Sequence, residues 1–315
     1  MSLVQIEYAL AVHRFRNFKK AAMHCHVTQP TLSMQLQKFE EQLGVILFDR
    51  SKSPTVPTLE GEKVLEQAQV VLREYHRLLD IAKGADQEVE GDFTLAVIPT
   101  MAPYIVPLFV SRFIKNYPKV NLIIKEMQTE MIIEALSRDE IDAGLMATPL
   151  KNEQLIERVL FYEPFWLYVS PNHPLNSKSK INEHELSGDD VWLLSEGHCF
   201  RNQVLSVCSM RPSSSKNKNT ISFDSGNLET LKQMVLKSGG YTLLPQLAAD
   251  QVVGHQRKML KPFQHPVPTR EVSIVYSRSF LKEKIVTALE QSIIESLPGE
   301  LKNIKGKKIE IVPID

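Results

Sequence analysis

The sequence has no uninterrupted run of about 18 apolar residues, the length that a bilayer-spanning helix needs. Its opening stretch, Met1 to Leu10, lacks the basic cluster that precedes the apolar core of a secretory leader. These two absences argue against a helical membrane span and predict a cytoplasmic protein with no membrane partner. Cysteine is scarce, with only Cys25, Cys199 and Cys208 present. Three thiols in a reducing compartment cannot form a structural disulfide framework, so any pairing among them needs a reason other than stability. Neither sign of charge is in excess, with 37 basic against 37 acidic side chains, which argues neither for nor against nucleic acid. A cluster with metal-ligand spacing is also missing. His24, Cys25 and His26 are adjacent and would point in different directions from a helix, which reads as a core thiol between surface histidines. No metal and no cofactor is expected.

What is present is ordinary globular composition, 43% hydrophobic and 23% charged, in a length that suits two or three domains. Residues 1–61 are helix-rich. From Glu62 to Lys83, apolar residues recur at steps of three and four (Val64, Leu65, Ala68, Val71, Leu72, Tyr75), the mark of one long amphipathic helix. Because this helix (62–87) links two segments, a second copy's helix is its expected cover, which implies a homodimer. Beyond it, strand and helix patterns alternate. Strands are predicted at Phe93–Ile98, Val120–Met127, Ile141–Met146, Phe165–Val169, Val191–Leu194, Thr220–Phe223, Tyr241–Leu244 and Glu271–Tyr276. Helices are predicted at Val106–Tyr117, Met131–Arg138, Leu228–Lys237 and Glu283–Ser296. This alternation predicts an α/β domain over 88–301 with substantial parallel pairing. Its two halves, about 88–162 with 269–301 and about 163–268, would leave a ligand cleft between them. Residues 302–315 are basic, then apolar, and their pattern assigns no element.

In the head, Phe18 to Cys25 and Thr28 to Leu43 read as two helices around a tight turn. Thr28 can cap the second helix, and Pro30 sits in its first turn, where a missing N–H costs nothing. Leu32, Leu36, Phe39 and Leu43 form its buried stripe. Gln29, Thr31 and Ser33 are left outward, as a helix that reads base edges requires. Arg14, Arg16, Lys19, Lys20 and Lys38 suit phosphate contacts. The Ser/Pro/Thr-rich segment Arg50 to Thr58, with Arg50 and Lys52, reads as a wing. Thr28, Gln29, Pro30, Thr31, Ser33, Arg50 and Lys52 are therefore the candidate contacts to double-stranded promoter DNA.

The motifs Ala21-Ala22, Thr28-Gln29-Pro30-Thr31-Leu32-Ser33, Leu43-Gly44-Val45, Leu47-Phe48-Asp49-Arg50 and Thr58-x-x-Gly61 resemble, in order and spacing, the LysR-type regulators. The likeness extends to Gly239-Gly240-x-Thr242-Leu243-Leu244-Pro245. It implies an all-α winged helix-turn-helix head, a long linker helix that dimerises, and a sensor of two Rossmann-like subdomains like a periplasmic binding protein. It also implies assembly from homodimer to homotetramer and contact with RNA polymerase.

The segment Glu196-Gly197-His198-Cys199-Phe200-Arg201-Asn202-Gln203 holds the chemistry. Gly197 reads as the start of a helix, which puts Cys199 in the first turn. There the helix dipole, with His198 and Arg201 beside it, is expected to acidify the thiol. A thiolate attacks a peroxide O–O bond to give a sulfenic acid, and a second thiol condenses with it to a disulfide. Cys208 is the only second thiol in the segment. Nine residues of helix span about 13.5 Å, whereas a disulfide needs Cα atoms within about 7 Å. Oxidation would therefore unwind the helix, which is what a switch requires. Gly-His-Cys-x-Arg with this cysteine pair is similar to the peroxide-sensing, OxyR-like branch of the LysR family, as are Ile98-Pro99-Thr100 with Pro103-Tyr104 and Glu126-x-Gln128-Thr129.

That resemblance implies that Cys199 reacts with hydrogen peroxide and Cys208 resolves it. Thr100, Thr129, His198 and Arg201 would position peroxide or water. Genes for peroxide removal would be activated, and a thiol reductant such as glutaredoxin or thioredoxin would reset the switch. Asn202 departs from the Asp common in that branch. Two other readings compete: a regulator answering to a small metabolite in the cleft, and a thiol peroxidase. A recognition helix argues against the enzyme, since catalytic turnover needs none.

Overall fold

Capping chemistry sets where the first helices begin and end. In α1 (Leu3–Phe15), Ser2 and Gln5 exchange side-chain and backbone hydrogen bonds as a capping box. Asn17 caps α2 (Phe18–His24). Thr28 caps α3 (Gln29–Leu43), with Pro30 in the first turn and Gly44 stopping it in the left-handed conformation, φ 68°. Ile6, Ala9, Val12, Ala21, Leu32, Leu36 and Phe39 form the core of this three-helix unit. The buried Glu40 holds the wing: Oε1 accepts from the amides of Leu47 (2.8 Å) and Phe48 (3.3 Å), and Oε2 pairs with Arg50 at 2.6 Å. The wing is a short antiparallel hairpin, β1 (Phe48–Asp49) with β2 (Val56–Pro57). The long helix α4 (Leu59–Lys83) starts three residues before the Glu62 expected from its stripe. Leu65 and Ala68 of α4 are buried in the head core with Val64 and Leu72 against it, whereas Leu78 stays 63% exposed.

The structure, a computed structural model, describes residues 1–52, 54–83, 89–186, 190–208, 226–277, 282–302 and 308–314. The chain divides into two units, Met1–Gln87 and Glu88–Asp315. In the second, β3 (Gly91–Val97) pairs in parallel with β4 (Val120–Glu126) and with β5 (Ala143–Thr148). The crossovers are α5 (Ala102–Asn116) and α6 (Thr129–Ser137), the connection that parallel strands demand. The long strand β6 (Leu155–Val169) follows, then α7 (Cys199–Val207), α8 (Leu228–Ser238), β7 (Tyr241–Pro245), α9 (Gln246–Asp250) and β8 (Leu260–Pro262). The chain returns through β9 (Val267–Ser277), α10 (Glu283–Ser296), α11 (Gly299–Lys302) and β10 (Ile309–Ile311). The strands run β4-β3-β5-β9-β6-β7, with β10 on β9 and β8 on β6. β6 changes partner along its length: Leu155 to Pro164 pair with β9, and Phe165 to Val169 pair with β7. An α/β sensor of mixed sheet and flanking helices, with a winged helical head, is the fold class expected.

Two local expectations change. Val191–Leu194 is not a strand; only Val191 bridges to Tyr241. The Trp192 carbonyl is taken by the Thr242 hydroxyl at 2.8 Å, so the ladder stops there. α5 begins at Ala102 rather than Val106, and Pro107 lies inside it. The strand expected at Thr220–Phe223 lies outside the described residues. Residues 309–311, unassigned from pattern, pair in parallel with β9.

Removing the Glu40 carboxylate leaves two buried amides without their acceptor, so Glu40→Ala should destabilise the head by about 1–3 kcal/mol. Urea unfolding of the head would check this; a loss below about 0.5 kcal/mol would show that the wing is held by other means.

Candidate thiol site and DNA-reading face

The loop before α7 is shaped by Gly197. Its φ is +88°, and a Cβ there would lie 2.7 Å from the Gln128 side-chain oxygen, so glycine alone fits without displacement. His198 takes the extended N-cap position, and Cys199 is the first helical residue. Cys208 is the C-cap of the same helix. Both thiols are free and buried. The predicted placement of Cys199 in a first turn, and its separation from Cys208 by a helix, are the arrangement observed.

Four elements converge on the Cys199 end. Thr129 begins α6, is buried, and its Oγ1 meets no oxygen or nitrogen partner among the described residues. Its hydroxyl acts on the Cys199 thiol, pulling its pKa down. Thr100, which follows β3, accepts from Arg270 through Oγ1 (3.1 Å) and through its carbonyl (3.4 Å). Arg270 on β9 is wholly buried and paired with Glu163 on β6, at 2.8 Å from Nε and 2.7 Å from a terminal nitrogen. Glu163 also accepts the Leu247 amide at 2.8 Å. The Arg270 guanidinium lies 5.9 Å from the Phe200 ring centroid. The site thus joins Cys199, Thr129, Thr100 and Arg270, with Glu163 behind.

The expected acidification of Cys199 does not hold in this conformation. Burial pushes the thiol up from its ordinary value; Thr129, the Arg270 charge and the amides of Phe200 and Cys199 itself oppose this. Desolvation wins because the thiol is buried, which disfavours its charged form. The two neighbours expected to help stand differently. Burial lowers the His198 pKa, which favours the neutral ring, and its Nε2 lies 3.3 Å from the Gln128 amide nitrogen. Arg201 turns back to donate to the Leu194 carbonyl at 2.8 Å. The cation acting on the thiol is Arg270, which the sequence reading missed. Cys208 is pushed up to about 12 by burial, against a lowering contact from Tyr241.

In the head, Thr28, Gln29, Pro30 and Thr31 are exposed at the start of α3 and Ser33 is half-buried. Thr28 and Thr31 hydroxyls lie 2.8 Å apart. Lys52 is exposed and 3.8 Å from Asp49, whereas Arg50 is held by Glu40 and stacks 5.4 Å from the Phe18 ring centroid. Arg50 therefore organises the wing as well as bordering its surface.

Residues 3–62 match the bacterial regulatory helix-turn-helix model of the lysR family, and residues 86–297 match the LysR substrate-binding domain. The chain belongs to the LysR family of DNA-binding transcription regulators. It is 33% identical over 303 residues to a hydrogen peroxide-inducible genes activator of Haemophilus influenzae, covering 95% of this chain and 99% of that protein. It is 32% identical to the DNA-binding transcriptional dual regulator OxyR of Escherichia coli, over 88% of this chain and 89% of that one. Full-length OxyR of Pseudomonas aeruginosa, solved as a cysteine-to-aspartate variant, superposes with a TM-score of 0.80 at 32% identity, covering 93% and 98% of the two chains. Among the described residues, no helix is long and apolar enough to cross a membrane and no cluster could hold a metal ion.

The pH dependence of stability follows from the two thiols. Each is held protonated in the fold and ionises more readily when unfolded, so their contribution is complete below about pH 9 and is lost as pH rises beyond it. His198 acts with the opposite sign: the unfolded ring takes up its proton near pH 6.5, and the stability of the neutral ring is lost below that. Urea midpoints of the reduced protein should fall from pH 8 to 10 more steeply than those of a Cys199→Ser/Cys208→Ser variant. Parallel curves would mean that the thiols are not desolvated as described.

Proposed function

We propose that this regulator answers to hydrogen peroxide through a reversible Cys199–Cys208 disulfide and acts as a transcription activator. The observation that carries this reading is one helix with a thiol at each end, the first of them beside an otherwise unpartnered Thr129 hydroxyl and within the field of Arg270. Cys199 would give its thiol proton to the peroxide as its sulfur attacks one oxygen; the O–O bond breaks, one water leaves and a sulfenic acid remains. Thr129 and Arg270 face the charge that develops on sulfur, which compensates for the cost of ionising it there. The Cys208 thiol then displaces the second oxygen as water and forms the S–S bond. Two thiols lose two electrons and the peroxide becomes two waters.

The relatives support the signal, since they are named as activators of hydrogen peroxide-inducible genes. The exposed start of α3 supports promoter DNA as the target. Rearrangement of α7 would be passed on through homodimers and homotetramers to the spacing of the heads and to RNA polymerase. A glutaredoxin or thioredoxin would restore the thiols, all in the cytoplasm. The site residues in this reading are Cys199 and Cys208 as the redox pair, with Thr100, Thr129 and Arg270 supporting the first. His198 shapes the loop through Gln128, and Arg201 pins the loop to Leu194.

Stoichiometric peroxide should yield a 199–208 crosslink by alkylation and mass spectrometry, together with a changed DNA footprint. Cys199→Ser should show neither. A footprint that shifts equally in Cys199→Ser would defeat this reading.

A further inference from the structure

The segment beyond α11 has a feature that the redox reading does not use. Val312 is buried and ties two parts of the site together. Its amide donates to the Thr269 carbonyl on β9 at 2.9 Å, next to Arg270. Its carbonyl accepts from the Gln203 side-chain amide on α7 at 3.0 Å. Two residues on, the Ile314 carbonyl lies 3.5 Å from the Asn202 side-chain nitrogen. Residues 312–314 run on beyond β10 and present these two carbonyls to consecutive side-chain amides of α7. Gln203 is fully buried, and its Oε1 has no hydrogen-bond partner among the described residues, so Val312 is what anchors its side chain there. Asn202 fits the same pattern: an amide donates to a carbonyl, which the carboxylate of an Asp could not do.

We propose that residues 309–314 are a strap that holds α7 in its reduced, helical form through Gln203 and Asn202, and that disulfide formation requires its release. The inference rests on the redox reading above. Joining Cys199 to Cys208 unwinds α7, which moves Asn202 and Gln203 away from carbonyls fixed by β9. The strap then keeps its short parallel ladder, Ile309 to Ile311 on Val267 to Thr269, and the Val312 amide bond to Thr269. It acts after the peroxide step and before disulfide closure, since its bonds to α7 fall on Asn202 and Gln203 and must let go for the helix to open.

The test uses the full chain and compares the parent with Gln203→Met, which keeps a long helix-forming side chain without the donor, and with Asn202→Asp. Sulfenic acid trapping should proceed at the parent rate in both, while closure to the disulfide speeds up by about tenfold in Gln203→Met, as loss of a buried hydrogen bond or two implies. Amide hydrogen exchange over 309–314 should accelerate when the parent is oxidised. A crosslink that forms while exchange over 309–314 stays unchanged, or closure at the parent rate in both variants, would overturn the strap and leave the redox reading intact. Failure of the parent to form a 199–208 crosslink would overturn both.

Discussion

A nine-residue helix carries one thiol at its first residue and the other at its C-cap, and the backbone hydrogen bonds of that helix are what keep them apart. At about 1.5 Å per residue α7 is longer than any disulfide can span. The covalent bond and the helix are therefore alternatives. Each is stable only in the absence of the other, and the rest of the sensor site can be read as bias toward one of them. The loop at Gly197, the turn of Arg201 back to Leu194 and the amides of Asn202 and Gln203 all favour the helix. Only an oxidant supplies the opposing free energy.

The chemistry at the helix start has its own tension. Cys199 is buried, which protects a reactive sulfur but suppresses the thiolate. The offsetting charge comes from Arg270, whose pairing with Glu163 fixes it without solvent. An unpaired buried arginine would be costly, and a pair this deep is stable only when its remaining donors and acceptors are used. Thr100 and the Leu247 amide use them here. The pair also lies where β6 and β9 run side by side, so the cation is set by two hydrogen-bonded strands.

Much of this was legible in the sequence because it is local. The capping threonine and proline of α3, the stripe of α4, the glycine before Cys199 and the nine-residue spacing to Cys208 each act over a turn or two of chain. What the sequence hid depends on distant partners. Arg270 lies far along the chain from Cys199 and reaches it only through sheet pairing; no spacing rule points to it. Arg201 misled for the converse reason: proximity in sequence suggested a role beside the thiol, but the Leu194 carbonyl needed a donor and took it. Burial was equally hidden. A first-turn position favours ionisation, yet the packing of Phe200, Thr129 and their neighbours removes water and reverses the sign. The strand at 309–311 is too short to show a pattern and exists because β9 offers it an edge.

The competition between helix and disulfide is measured most directly by the reduction potential of the 199–208 pair, titrated with a glutathione couple in native buffer and again in denaturant. If the fold opposes the bond, the folded pair is the more easily reduced, its potential lying above the unfolded value by a few tens of millivolts, where about 30 mV corresponds to 1.4 kcal/mol. Equal potentials, or a folded value below the unfolded one, would mean that the bond fits the fold and that the two are not alternatives.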